Sequence, residues 1–445
     1  MRKTLCFLLA LHFTYVSSLP GIVKTLAGGG EPHKGKKSDC NDKEDSKDGI
    51  GTEARFNYPW GVAYDHNKHA VYVADCGCLD SVHRTDKIRK IDIKTGTVTT
   101  IAGSTQGFSD GFGKDAHFMH VAGITLDPIL EILYIADSGN HRIRILYLSN
   151  NRVDTVAGLP SPGFVDQSTV SSQFNNPQSV AIIRTDDFKR RLYVADTDNH
   201  AIRVIHLETD FSGEVKTLAG GTRGFKDGYK LDAKFYHPTD IVVDGTAEYM
   251  YVADHFNHAI RRIELKTGYV TTLSSQGFGA EIGLNNQPVN LIIQYPEGLV
   301  YDPDYNLLYV CEFENHDIRV VSMQGLVKTL AGEFKGKKDG VGRTARFFYP
   351  SGLAFDRKNR MLYVSDQYNH LVRSVTAVGS NVQYNNIKQE AVLDSTDILK
   401  KVKTVADHSS LTLNILLCSA SLLVGIFIAR PCLSKLIKLF RPSKK

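Results

Sequence analysis

One carboxylate and one arginine return in step along this chain of 445 residues: Asp75 with Arg89, Asp137 with Arg144, Asp196 with Arg203, Asp254 with Arg261, Glu312 with Arg319 and Asp366 with Arg373. One such pair could serve catalysis. Six at matching stations are expected to be structural, each buried charge neutralised by its partner and by turn backbone. Five histidines, His141, His200, His258, His316 and His370, stand three positions before five of these arginines. Imidazole is a good metal ligand, but equal stations on successive units keep these rings apart, so they are expected to cap turns.

Cysteines offer a second chemistry. Cys40 lies in the charged stretch Lys34 to Lys47, and Cys76 and Cys78 open the segment from Cys76 to Arg84, where the first unit loses the Asn-His pair that the others keep. In an oxidising compartment Cys40 is expected to pair with Cys76 or Cys78, since cysteines one residue apart point their Cβ atoms away from each other in extended chain. A metal site built from Cys40, Cys76, Cys78 and His83 is the alternative, although its spacing matches no standard zinc pattern. Cys311 replaces the alanine of the motif within an apolar run and reads as an inert core thiol.

The elements that must position these residues follow from their interval. The acids are 62, 59, 58, 58 and 54 residues apart. A near-fixed interval means stacked units of one type, none able to bury its apolar faces alone. In the second unit, residues 123–127, 132–137, 142–146 and 153–158 are short runs rich in β-branched residues, separated by turn residues such as Ser138-Gly139-Asn140 and Ser149-Asn150-Asn151. This pattern predicts a four-stranded antiparallel meander. Six such units predict an all-β, six-bladed β-propeller. Fourth strands follow only the first five units, at Thr100, Thr155, Thr217, Thr272 and Thr329, and the missing one is Ile22–Gly28. The N-terminal strand is therefore expected to complete the last blade and close the ring, leaving no unpaired edge.

The strings Ala-Asp-x-x-Asn-His-x-Ile-Arg, Thr-(Leu/Val/Ile)-Ala-Gly and Asp-Gly-x-Gly-x-x-Ala-Arg-Phe-x-x-Pro-x-Gly-(Val/Leu)-Ala recur in order over roughly residues 20 to 376. In this they resemble NHL repeats. The resemblance implies a six-bladed propeller of NHL type and names no activity, because this fold serves binding scaffolds, RNA-binding regulators and a few enzymes.

In a four-strand blade, the turn between the second and third strands lies on the same face as the link to the next blade. Binding is expected on that face, where the long loops gather around the axis. The residue after the proline position of each innermost strand marks the channel mouth: Trp60, Ala122, Gln178, Thr239, Glu297 and Ser351. Relatives that resemble the peptide-amidating lyase place several histidines there for zinc, and this chain places none. Sugar-lactonase propellers need several carboxylate and amide ligands, of which Glu297, Gln178 and Asp240 would be a thin set. The candidate ligand-binding residues are Trp60, Gln178, Thr239 and Glu297 at the mouth, with His255, Phe256, Phe313 and Tyr368 in the turns of blades four to six. Aromatic side chains on loop tips anchor protein or glycan partners. No catalytic residue, metal or cofactor is assigned. The alternative is a metal-dependent lyase or hydrolase working in the channel.

The two ends read differently from the body. Arg2 and Lys3, the apolar stretch Thr4 to Val16 and small residues before Leu19 describe a signal peptide over residues 1–18. The propeller spans 19–376 and a stalk 377–410; residues 411–429 carry no charge and are followed by a basic tail, 430–445. As a helix, 411–429 would cover roughly 28 Å, near the ~30 Å hydrocarbon thickness. The cationic tail would stay in the cytosol. This predicts a single-pass type I protein of the secretory-pathway membrane with its ring on the extracytosolic side. The whole chain holds 53 Lys and Arg against 48 Asp and Glu, but eight of the basic residues lie at its two ends. The near-neutral body offers no field for a phosphate backbone, so the expected partners are a protein or glycan ligand and the membrane, and not nucleic acid.

Overall fold

The computed structural model describes residues 20–29, 46–77, 85–184, 189–275, 281–282, 288–289 and 293–379. The expected signal peptide, membrane helix and basic tail, most of the stalk, and Cys40, Cys78 and His83 lie outside these. Among the described residues no helix is long and apolar enough to cross a membrane. Cys76 is buried, and neither of its expected disulfide alternatives can be placed, because the partner cysteine lies outside the described residues.

Six antiparallel sheets of four main strands form the ring. Blade 1 runs outward through Pro59–Asp65, Ala70–Asp75, Lys87–Asp92 and Thr97–Ala102, and blade 2 through Val121–Asp127, Ile132–Asp137, Arg142–Tyr147 and Arg152–Ala157. Blade 3 holds Pro177–Arg184, Arg190–Asp196, Ala201–Leu207 and Gly213–Gly220; blade 4 holds Pro238–Val243, Tyr249–Asp254, Ala259–Glu264 and Tyr269–Ser275. Blade 5 is Pro296–Asp302, Leu307–Glu312, Asp317–Ser322 and Val327–Gly332. Blade 6 takes Pro350–Asp356, Met361–Asp366 and Leu371–Thr376 from the C-terminal side and Ile22–Ala27 from the N-terminal side. The last two strands pair antiparallel, with Val23 opposite Val375 and Thr25 opposite Arg373, so the expected closure is present.

Second strands such as Ala70–Asp75 and Ile132–Asp137 are buried along their whole length because sheets cover both faces. The core is accordingly split into six layers between neighbouring blades: Tyr134, Ile143 and Ile145 of blade 2 meet Phe174, Val180 and Val194 of blade 3. Cys311 is fully buried in the layer between blades 5 and 6, as expected of a core thiol. Entry linkers protect the outer edges. Gly49–Ile50, Gly111–Phe112, Gly228–Tyr229 and Gly340–Val341 add short fifth strands to blades 1, 2, 4 and 6.

All six expected ion pairs form, at 2.6–2.7 Å. Their full arrangement is richer than one acid per arginine. Arg203 holds Asp196 at 2.7 Å and the linker's Asp166 at 2.5 Å, and donates to the carbonyls of Gln173 and Val165. The rings of Phe164 and Phe174 lie over its guanidinium, centroids 4.9 and 5.2 Å away. Asp48, Asp110, Asp227 and Asp339 do the same for Arg89, Arg144, Arg261 and Arg373. A guanidinium without water contact needs this much compensation. The Asp-Gly-x-Gly linkers are therefore turns, as expected, and also suppliers of the second carboxylate.

Candidate functional site

Each motif histidine ends the short turn after the second strand in the left-handed region, with φ between 51° and 59°, so the expected turn-capping role holds. Its backbone N–H caps the turn at His141, His200, His258, His316 and His370. Its imidazole does something more. The backbone N–H of the next blade donates to Nδ1: Asn176 to His141 (3.1 Å), His237 to His200 (3.3 Å), Tyr295 to His258 (3.1 Å), Tyr349 to His316 (3.3 Å) and Tyr58 to His370 (3.2 Å). The donating residues also have positive φ, between 45° and 55°, and each directly precedes the innermost strand of its blade. Between blades 1 and 2, where the motif histidine is missing, Asp86 instead accepts the N–H of Val121 at 3.1 Å.

These junctions bring three tyrosines, Tyr58, Tyr295 and Tyr349, onto the loop face beside the turn residues predicted as ligand contacts. The rings touch in sequence around the mouth. Tyr58 meets Tyr368 at 5.0 Å, Tyr368 meets Tyr349 at 4.7 Å, and Tyr349 stacks on Phe313 at 4.5 Å. His255 then bridges Phe313 at 6.3 Å and Phe256 at 4.8 Å, and Phe256 reaches Tyr236 at 4.9 Å. Edge-on and tilted contacts at these separations are the favoured aromatic geometries. The result is an arc over blades 4, 5 and 6 that ends on blade 1. Phe256 is its most exposed ring, at 40 %.

The other predicted residues line the axis instead. A channel cavity of about 320 Å³ is walled by Trp60, Gln178, Thr239, Asp240, Glu297, Ser351 and the innermost strands. In blade 2 Gly123 lines the channel, and the expected Ala122 is buried and takes no part in the wall. Thr239 spends its hydroxyl on the carbonyls of Pro296 and Glu297, 3.3 and 3.1 Å away. Asp240 clasps three blades, accepting from Ser179 Oγ at 2.5 Å, Leu299 N–H at 2.6 Å and Ile241 N–H at 2.9 Å. Burial outweighs those bonds and, with the nearby Glu297 charge, pushes its carboxyl up to about 6.

His255 joins the two sets. Its Nδ1 lies 2.9 Å from Glu297 Oε2 and 3.1 Å from the Pro296 carbonyl. Burial alone would lower this imidazole, but the Glu297 carboxylate holds it above its ordinary value. The equivalent turn positions, Ser138 and Thr197, donate to the next blade's proline carbonyl. Blades 4 and 5 thus place a charged pair where the other described turns place neutral groups. Among the described residues, no three His, Cys, Asp or Glu side chains converge in a way that could hold a metal ion.

The structure brings Phe256, Phe313, Tyr368 and His255 together on the rim and places Trp60, Gln178, Thr239 and Glu297 in the channel wall, the His255–Glu297 contact linking the two sets. Tyr58, Tyr295 and Tyr349 were missed. The signal was present: each is a tyrosine directly before the proline of an innermost strand.

No family model matches the chain. It is 32 % identical over 312 residues to NHL repeat-containing protein 2 of Homo sapiens, covering 61 % of this chain and 42 % of the relative. To the Bos taurus protein of the same name it is 34 % identical, covering 57 % and 38 %. It thus spans less than half the length of these relatives. A further likeness, 31 % over 58 % of this chain and 25 % of the relative, is to Protein SUPPRESSOR OF QUENCHING 1, chloroplastic, of Arabidopsis thaliana. Among solved structures, an auxiliary nutrient binding protein from Bacteroides thetaiotaomicron aligns with a TM-score of 0.55 at 16 % identity, over 80 % of this chain and 76 % of that one. That likeness is one of fold. The repeated motif, the six-sheet ring and these relatives together support an NHL-repeat β-propeller.

Proposed function

We propose that the ring is a recognition module that meets a protein or glycan partner on its loop face. One observation carries this reading: the continuous arc of rings from Tyr236 to Tyr58, at one edge of an acid-lined channel. Half-buried, mutually supported aromatic side chains offer large contact area with little rotamer entropy left to lose. In this reading the chain is held in a membrane of the secretory pathway by residues 411–429, with the ring on the extracytosolic side; the apolar segment and its basic flank support that part.

The test compares the full chain with a Phe313→Ser/Tyr368→Ser variant on a glycan array and on a display library of secreted-protein fragments. Ligands selected by the wild type should lose at least roughly tenfold in affinity for the variant. A selected ligand held equally well by both would place recognition elsewhere.

A further inference from the structure

The junction histidines carry a consequence for the binding face. A backbone N–H can only donate, so each Nδ1 that receives one must bear a lone pair, and the imidazole is then neutral with its proton on Nε2. Protonation would set N–H against N–H and abolish the bond. Three of the five junctions end on tyrosines of the aromatic arc, and in those three the imidazole also packs edge-on against the same tyrosine: His258 on Tyr295 at 4.2 Å, His316 on Tyr349 at 4.8 Å and His370 on Tyr58 at 4.8 Å.

We propose that His258, His316 and His370 make the aromatic arc proton-sensitive, acidification removing the acceptors that hold Tyr295, Tyr349 and Tyr58 in register. This rests on the reading of the arc as the recognition face, and supplies its regulation. The surroundings agree. Burial lowers His258, and the neighbouring His255 charge lowers it further against the pull of Glu312. Burial lowers His316 as well, Lys335 adding to it while Glu314 opposes. His370 has Tyr58 against it across the seam between blades 6 and 1. The two remaining junctions feel Asp198 and Arg142 at His141, and Asp198 and Arg223 at His200, and burial lowers both. The sign follows. A histidine lowered in the folded ring supports it fully above its ordinary value, near 6.5, and loses that support as pH falls below it.

Trp60 is the only tryptophan and lies two residues beyond Tyr58, so its emission reads the seam without any ligand. In the full chain, Trp60 emission should shift reversibly between pH 7.5 and 5, and His370→Asn, which tolerates the left-handed backbone and keeps an acceptor but cannot take a proton there, should flatten the shift. Histidine ring nitrogens observed by NMR in the wild type should show Nδ1 unprotonated at pH 7.5 for these residues. An unchanged pH profile in His370→Asn, or Nδ1-protonated rings at pH 7.5, would overturn the proposal; should that variant fail to fold, the wild-type ring nitrogens decide alone. A pH-responsive Trp60 combined with ligand binding indifferent to Phe313→Ser/Tyr368→Ser would keep the junction mechanism and reject the face.

Discussion

Blade 3 and blade 5 bury the same guanidinium by different routes. Arg203 takes one carboxylate from its own sheet, Asp196, and one from the entry linker, Asp166, whose side chain stays 44 % exposed. Arg319 takes Glu312 at 2.6 Å and Asp317 at 3.2 Å, both from its own sheet and both more than nine-tenths buried. The sequence differs at both places. Gly107-Phe108-Ser109 and Gly224-Phe225-Lys226 precede the linker acids Asp110 and Asp227, whereas Gly277-Phe278-Gly279 precedes Ala280. Asp317 in turn stands where other units have Lys87, Arg142, Ala201, Ala259 or Leu371. Among the described contacts, Arg319 takes its second carboxylate from its own strand. Among the described contacts each of the six arginines meets two carboxylates, and the segment that supplies the second differs between blades. The strand position has a penalty: burial and the neighbouring Glu312 raise the Asp317 carboxyl well above its ordinary range.

The comparison breaks most visibly at the arginines. Arg203→Met should cost roughly 3–5 kcal/mol in urea unfolding, because Asp196 is left buried without a counter-charge. Arg319→Met should cost less, by at least about 1 kcal/mol, since Glu312 and Asp317 can share one proton; equal losses would show that the two cages are equivalent. Asp317→Asn sharpens the contrast by pH. With its folded value raised, Asp317 makes wild-type stability fall as pH rises from about 4 toward that value. The variant should lack this slope and be more stable at pH 7 by on the order of 1 kcal/mol, with no gain at pH 4. The smallest effect belongs to blade 3's exposed ring: Phe164→Leu should lower stability by about 0.5–1 kcal/mol, the value of a guanidinium–ring contact near water.

What could be read from the chain was whatever repeats or lies close in sequence. The interval between acids, the short β-branched runs and the surplus strand Ile22–Gly28 were enough for six blades and their closure. The linker acids were visible as letters, but their role depends on Arg203 meeting Asp166 across 37 positions, a contact no local pattern encodes. Phe256, Phe313 and Tyr368 could be named from their turns. Their assembly with Tyr58, Tyr295 and Tyr349 could not, because it arises from left-handed residues joining separate blades. Trp60 and Glu297 were grouped with the arc for the same reason: sequence position gives distance along the axis poorly, and only the packed ring separates rim from channel.

The pairing of Ile22–Ala27 with Leu371–Thr376 sets an order of events. Ile22 donates to the Thr376 hydroxyl at 2.7 Å, a partner 354 positions downstream. Until that stretch has emerged from the ribosome, Ile22–Ala27 lacks its main sheet neighbour, and the nascent ring has its final sheet unjoined to its outermost ribbon. Completion is thus a late event, limited by a long loop closure, and the open form is the one that a folding helper would meet.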